Sequence, residues 1–263
     1  MRLFFELTRL SFQRQISYRA AVMAGFATNF FFGMLRIAVL LALYGARGEV
    51  AGITTQGAIT FTGLTQGLIG YLCLFGWYEM MNSIYTGAVA SDLLKPMGYF
   101  RFWLAQDLGR ALAQFLLRGL TMMAVYAVFF GITTPHGLEQ WLALAISLIL
   151  AWLLSFTLRF LLNLVGFWTP DARAVGRVGF TFFYFLTGFL MPLRFFPDWF
   201  VHLANYTPFP YVVNTVVEVY LGVLDGPQLW FALLYQVVWV VLLWMACEWV
   251  LRAGVKRLVI QGG

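Results

Sequence analysis

Charge is what this sequence has least of. Asp, Glu, Lys and Arg make up 11% of its residues, against roughly a quarter in a soluble globular domain. Its 62% of hydrophobic residues cannot all be hidden inside one water-soluble core. Lysine is scarcer still. Lys95 and Lys256 stand in Leu94-Lys95-Pro96 and Val255-Lys256-Arg257, and neither belongs to the Gly-Lys-Ser/Thr loop that cradles nucleotide phosphates. If ATP drives this chain, another polypeptide must hydrolyse it, so no cofactor is expected here and ATP with Mg belongs to a partner. The two cysteines, Cys73 and Cys247, lie inside apolar runs and argue against a disulfide framework. His136 and His202 fall in separate segments without a Cys, His or Glu cluster, which argues against a metal site. There is no nucleophile elbow and no pair of catalytic groups on facing segments, so the chain does not read as an enzyme.

Long apolar runs fill the space that charge leaves. They lie at about residues 18–44, 59–81, 111–130, 141–165, 174–193 and 229–251. About 20 apolar residues cross a hydrocarbon core of about 30 Å, so six spans nearly exhaust the 263 residues. The expected fold is therefore an all-α integral membrane protein with six transmembrane helices, as one domain over residues 1–263. The first run is longer than a signal-peptide core and ends at no small-residue cleavage site, so the N-terminus is expected to be retained. Orientation follows from the basic residues. Arg2, Arg9, Arg14, Arg19, Lys95, Arg101, Arg110, Arg173, Arg177, Arg252, Lys256 and Arg257 fall on one side, against Arg47 and Arg194 on the other. The first side is expected to be the cytoplasm, with both termini there, in a plasma membrane of bacterial type. The net charge of +6 then reflects this bias and not a nucleic-acid partner.

Three segments depart from the alternation of span and short loop. Residues 1–17 place Arg2, Glu6, Arg9 and Gln13 on one helical side and Leu3, Phe4, Leu7 and Leu10 on another, as in a helix lying in the membrane interface. The plainer alternative is a cytoplasmic extension of the first span. Residues 82–105 begin with a short helix-capable piece that is stopped at Pro96 and followed by Arg101. Residues 192–222 are aromatic and apolar yet broken by Pro192, Pro197, Pro208 and Pro210. Such backbone survives at membrane depth only when packed on protein or lining a cavity. This segment, which includes Trp199, is expected to fold back as short re-entrant or capping helices on the outer side.

The order of these features resembles the permease subunits of ABC type-2 exporters. The resemblance rests on six spans, the N-terminal helix, Leu93-Leu94-Lys95-Pro96, Phe167-Trp168-Thr169 before the fifth span, and Gly188, Pro192-Leu193 and Phe196-Pro197 ending it. It covers nearly the whole chain. It implies two permease chains, identical or related, two ATPase subunits on the cytoplasmic side, and outward movement of an amphipathic or hydrophobic solute by alternating access. It also implies that Ser83 to Leu94 is a coupling helix seated on the ATPase, with Ser83, Tyr85, Asp92, Leu93, Leu94, Lys95 and Pro96 as coupling residues. In that contact Leu93 and Leu94 would be buried anchors, with Asp92 and Lys95 at the polar rim. Without the resemblance, the same stretch reads as an ordinary amphipathic loop.

Ionisable groups at membrane depth each invite a hypothesis. Arg36, nearer the outer end of the first span, reaches either headgroups or an outer vestibule. Arg118 is expected to pair with Glu79, and Glu248 with Arg252 at i,i+4 spacing, while Arg159 is read as structural. Gly63-Leu-Thr-Gln-Gly67 with Gly70 is a small-residue face. It serves a dimer or intrachain helix contact, or, with Arg36 and Gln66, a substrate path. Trp230, Trp239, Trp244 and Trp249 suit interfacial belts and lipid-facing packing. An ATP-independent transporter or channel would call for charges clustered at mid-membrane or an inverted repeat, and neither is evident. A membrane scaffold or assembly factor is the other alternative.

Overall fold

The computed structural model describes residues 1–169 and 172–257. Among them the regular structure is helical, apart from one two-stranded hairpin. Helix α1 (Arg2–Ser17) is separated from α2 (Arg19–Tyr44) by a non-helical Tyr18. The hairpin β1 (Glu49–Val50) and β2 (Ile53–Thr54) turns at Ala51 and Gly52, both at positive φ, as a tight turn between twisted strands requires. Thr54 then caps α3 (Thr55–Leu72) by accepting a hydrogen bond from the Gly57 amide at 3.0 Å.

Helix α3 is the centre of the molecule. It is buried along most of its length and packs on α2, on the α6 to α7 rod and on α8 and α11. It is also shorter than the run at 59–81 suggests. Cys73 takes the left-handed conformation and Gly76 sits at φ +109°, so the chain leaves the helix while Leu74 and Trp77 continue into the core as loop. Glu79 therefore opens a separate helix, α4 (Glu79–Tyr85), followed by α5 (Val89–Leu93).

The third run is longer than its hydropathy indicates. One continuous rod runs from α6 (Tyr99–Gln114) through a π-helical turn (Phe115–Gly119) into α7 (Leu120–Phe130). Its first half carries Arg101, Gln106, Asp107 and Arg110, and these mask the helix in an apolar scan. Helix α8 (Leu138–Leu164) packs along α12 (Gly226–Val255), continues as a short turn over Val165–Phe167, and holds a large share of the core. Helix α9 (Ala172–Leu186) is 15 residues long, about 22 Å, and stops before Gly188 at φ +75° rather than reaching residue 193. A turn at Leu193–Phe195 and the helices α10 (Asp198–Asn205) and α11 (Asn214–Leu221) fill residues 192–222.

Among the described residues, four helices are long and apolar enough to cross a membrane: Ala20–Tyr44, Tyr99–Phe130, Leu138–Phe167 and Gly226–Val255. Trp230, Trp244 and Trp249 project from α12 as expected of a lipid-facing surface, while Trp239 packs against the core.

Candidate functional site

The most consequential polar group in the molecule is one that hydropathy conceals. Asp107 on α6 is buried, and both its oxygens receive the guanidinium of Arg159 on α8, Nη1 to Oδ1 and Nη2 to Oδ2, each at 2.9 Å. Arg110, one turn along α6, donates Nε to Oδ1 at 2.8 Å, and Trp152 donates Nε1 to Oδ2 at 2.9 Å. Arg110 also reaches the carbonyls of Gly70 and Tyr71, and Ser155 that of Leu72. These are carbonyls left without helical partners where α3 ends. One carboxylate and two guanidinium groups therefore join α6, α8 and the end of α3. Arg159, read from the sequence as structural, is paired with Asp107, which was not anticipated. The available signal was Asp107-x-x-Arg110 at i,i+3 together with an arginine inside a long apolar run.

Beyond this node lies the connection from α4 to α5. Ser83 donates to Asp92 at 2.7 Å and Lys95 at 2.6 Å, with the Lys95 ammonium 3.6 Å from the centre of the Phe102 ring. Gly87, at φ +77°, makes the turn, so residues 83–94 form two short helices instead of one. This revises the roles expected for the segment. Asp92 is not at a rim but buried, pinning the loop, and Leu93 packs into the molecule's own core. What projects is Leu94, 86% exposed, with Tyr85, 67% exposed, and Pro96 on the same connection. Arg173 lies over the Tyr85 ring and donates to Asn82.

The expected pairing of Glu79 with Arg118 is not formed. Glu79 accepts from Arg14 of α1 at 3.1 Å. Arg118 instead donates to Gln114 at 3.3 Å and lies against Gly25 of α2. The longer α6 explains the change, because it sets Arg118 several turns from the α4 end of the rod. Glu248 and Arg252 likewise fall outside ion-pair distance among the described residues. Helix α1 lies along α6, with Thr8 and Ser11 donating to the carbonyls of Ala105 and Gln106, and Gly109 is the point of closest approach.

The glycine face of α3 is an intrachain contact. Gly63 receives the ring of Tyr126, Gly67 lies against the backbone of Gly119 and Gly70 against Gln114. Gln66 points elsewhere, into a cavity of about 430 Å³ between α2, α3 and the break that follows α9. Arg36 lines the same cavity, donating to Thr65 at 3.0 Å and to the carbonyls of Phe189 and Leu190, with its guanidinium 4.6 Å from the Phe189 ring. With the Gln66 oxygen turned toward Arg36, Gln66 accepts from Nη1 at 3.3 Å and donates to the Asn29 carbonyl at 3.2 Å. Arg36 thus holds the carbonyls freed where α9 breaks.

Asn214 tightens that break, accepting from the Leu193 amide at 3.0 Å and donating its own amide to Thr187 at 3.0 Å, so Gly188 has no room for a side chain. Pro192 and Pro197 precede the turn and α10, Phe196 stacks on Phe200, and Trp199 is exposed. Pro208 and Pro210 lie between α10 and α11, with Pro210 buried. Arg194 joins Glu218 at 2.9 Å and the hairpin carbonyl of Ala51 at 3.2 Å.

Long apolar helices, an ionic node buried among them and a loop ridge exposed at one end define a multi-pass helical membrane protein. The chain belongs to the ABC-2 family of transporter proteins, whose family model matches residues 30–262, and it is a permease subunit of an ABC-2 type transporter. Membership implies partnership with an ABC ATPase. No curated protein matches the sequence.

Proposed function

We propose that the chain is the transmembrane half of an ATP-driven exporter whose ATPase is a separate cytoplasmic dimer. The observation that carries this reading is the α4 to α5 connection. An apolar Leu94 is held out of the protein on a loop that Asp92, Ser83 and Lys95 hold in shape. A large exposed aliphatic side chain on a preorganised loop suits the centre of a protein contact. In this reading α3 and α9 complete six spans with α2, the α6 to α7 rod, α8 and α12, both termini are cytoplasmic, and α1 lies in the interface. The segment of α10 and α11 caps the outer side. A second permease chain, identical or related, completes the path, and bilayer lipids surround it. Movement of the α4 to α5 loop on ATP binding reaches α3 and α8 through the Asp107 node, and α2, α3 and α9 repack around an amphipathic solute.

The test separates two adjacent leucines. Leu94→Asp places a charge on the ridge and is expected to cost about 2 kcal/mol or more of ATPase association, with the permease fold unchanged. Leu93→Asp is expected to lower the melting temperature of the permease itself, since Leu93 packs inward. Copurification of the ATPase, with ATP-dependent transport in proteoliposomes, reads the first effect. Full ATPase binding and transport by Leu94→Asp would refute the assignment of this ridge.

A further inference from the structure

The cavity between α2, α3 and the α9 break holds a cation and no anion. Its polar lining comes from Thr28, Asn29, Arg36, Gln66 and Tyr184. Arg36 takes part in none of the ion pairs formed among the described residues, and its guanidinium is met by a hydroxyl, backbone carbonyls and an amide, all neutral. Its Nε is buried without an acceptor. Arg159, the comparable arginine on α8, has a carboxylate bound through both oxygens. A guanidinium at membrane depth is costly unless charge is brought to it, and neutral acceptors leave its field uncancelled over the space it lines. The rest of the wall is apolar and aromatic and includes Phe32, Phe75 and Phe189. The volume of about 430 Å³ is that of a site for a small organic molecule.

We propose that this cavity binds an amphiphile with one anionic group, a carboxylate, sulfonate or phosphate, placed at Arg36 and an apolar or aromatic body against the phenylalanines. The inference rests on the transport reading above and narrows its solute from any amphipath to an acidic one. Arg36 and Gln66 are then specificity-determining residues, with Arg36 supplying the charge and Gln66 holding its orientation. The same chemistry is shared by a free acidic solute and by the headgroup of an anionic lipid entering from the bilayer.

The test uses the permease with its copurified ATPase in phosphatidylcholine nanodiscs, titrated with two fluorescent probes. Anilinonaphthalene sulfonate carries the charge, and phenylnaphthylamine is its uncharged parent. After subtraction of empty discs, the sulfonate should bind roughly tenfold or more tightly than the parent, the effect of a single desolvated charge contact. Arg36→Gln should remove that preference, but it also removes the carbonyl contacts at the α9 break. Gln66→Glu is the sharper variant, because it keeps Arg36 in place and gives it an internal counter-charge. It should abolish the preference for the sulfonate over the parent probe. Adding phosphatidylglycerol to the discs distinguishes the sources: competition with the sulfonate assigns the site to a lipid headgroup, and its absence to a free solute. Equal affinity for the two probes, or undiminished sulfonate preference in Gln66→Glu, overturns the proposal. ATP hydrolysis measured on the same discs keeps the two readings apart. An active complex without anion preference sinks only this inference, whereas permease that purifies without an ATPase sinks the transport reading and leaves the binding measurement intact.

Discussion

Removing the Asp107 carboxylate tests the ionic node most severely. In Asp107→Ala, Arg159 remains with no exposed side-chain surface and loses its carboxylate partner, while Arg110, whose side chain is 12% exposed, keeps only backbone carbonyls and Trp152 loses its acceptor. Breaking a buried pair by deleting one partner costs about 3–5 kcal/mol, because the surviving charge stays buried uncompensated. At about 2–4 °C per kcal/mol for a chain of this size, the melting temperature should fall by roughly 6–20 °C. Asp107→Leu combined with Arg159→Leu removes both charges together and fills the space with apolar volume. It should recover the part of the loss that belongs to Arg159, since replacing a buried pair by hydrophobic residues is often neutral or better, while Arg110 keeps only the Gly70 and Tyr71 carbonyls. If the pair did not interact, the double variant's loss would equal the losses of Asp107→Leu and Arg159→Leu summed, so the amount by which it falls short of that sum reads the coupling directly. Fluorescence-detected size exclusion after heating gives the four values in one detergent. An Asp107→Ala protein that melts within about 2 °C of the parent refutes the reasoning, as does a double variant no more stable than Asp107→Ala.

Cysteines placed at Gly48, Glu139 and Asp225 should react with an impermeant maleimide added to sealed cells, and one at Arg101 should not; reversal at Arg101 would invert the topology. Gly109→Leu should release α1 from α6, because even a Cβ there meets the backbone of Thr8 and Phe12. A disulfide engineered between positions 8 and 105 should then no longer form, with a stability loss of about 1–3 kcal/mol from overpacking. Gly188→Ala should lower the melting temperature through its positive φ and the contact with Asn214, at a cost of about 1–2 kcal/mol, and Asn214→Ala in the same background should not restore it.

Hydropathy found the long apolar helices and the broken segment at 192–222, because those features depend on composition over many residues. It misplaced the ends of α3, the α6 to α7 rod and α9 for separate physical reasons. Cys73 ends α3 by a left-handed residue inside an apolar run, and no composition scan registers that. Arg101, Asp107 and Arg110 make the start of α6 look like loop, although two of them are satisfied inside the protein. The glycine positions of α3 were legible as a close helix contact, but their partners lay far along the chain, at Tyr126 and Gly119. Pairings were the least legible. Glu79 meets Arg14 and Arg159 meets Asp107 because helices lie side by side, a relation that spacing within one segment cannot express. In the α4 to α5 connection the side-chain directions were not legible, since Leu93 and Leu94 differ only in which way the chain turns them at the end of a five-residue helix.

The π-helical turn at Phe115–Gly119 gives the rod two independent faces. A π-turn accommodates one residue more than the α-helical ladder around it, and so shifts the register of everything beyond by about 100°. Before it, the rod turns Asp107 toward Arg159; after it, the rod turns Tyr126 into the slot made by Gly33 and Gly63. A chain one residue shorter at this point would keep either the ionic node or the tyrosine slot in phase, but not both. Here the length of a helix is a coded quantity: an insertion or deletion between Gln114 and Leu120 rotates one half of the rod against the other.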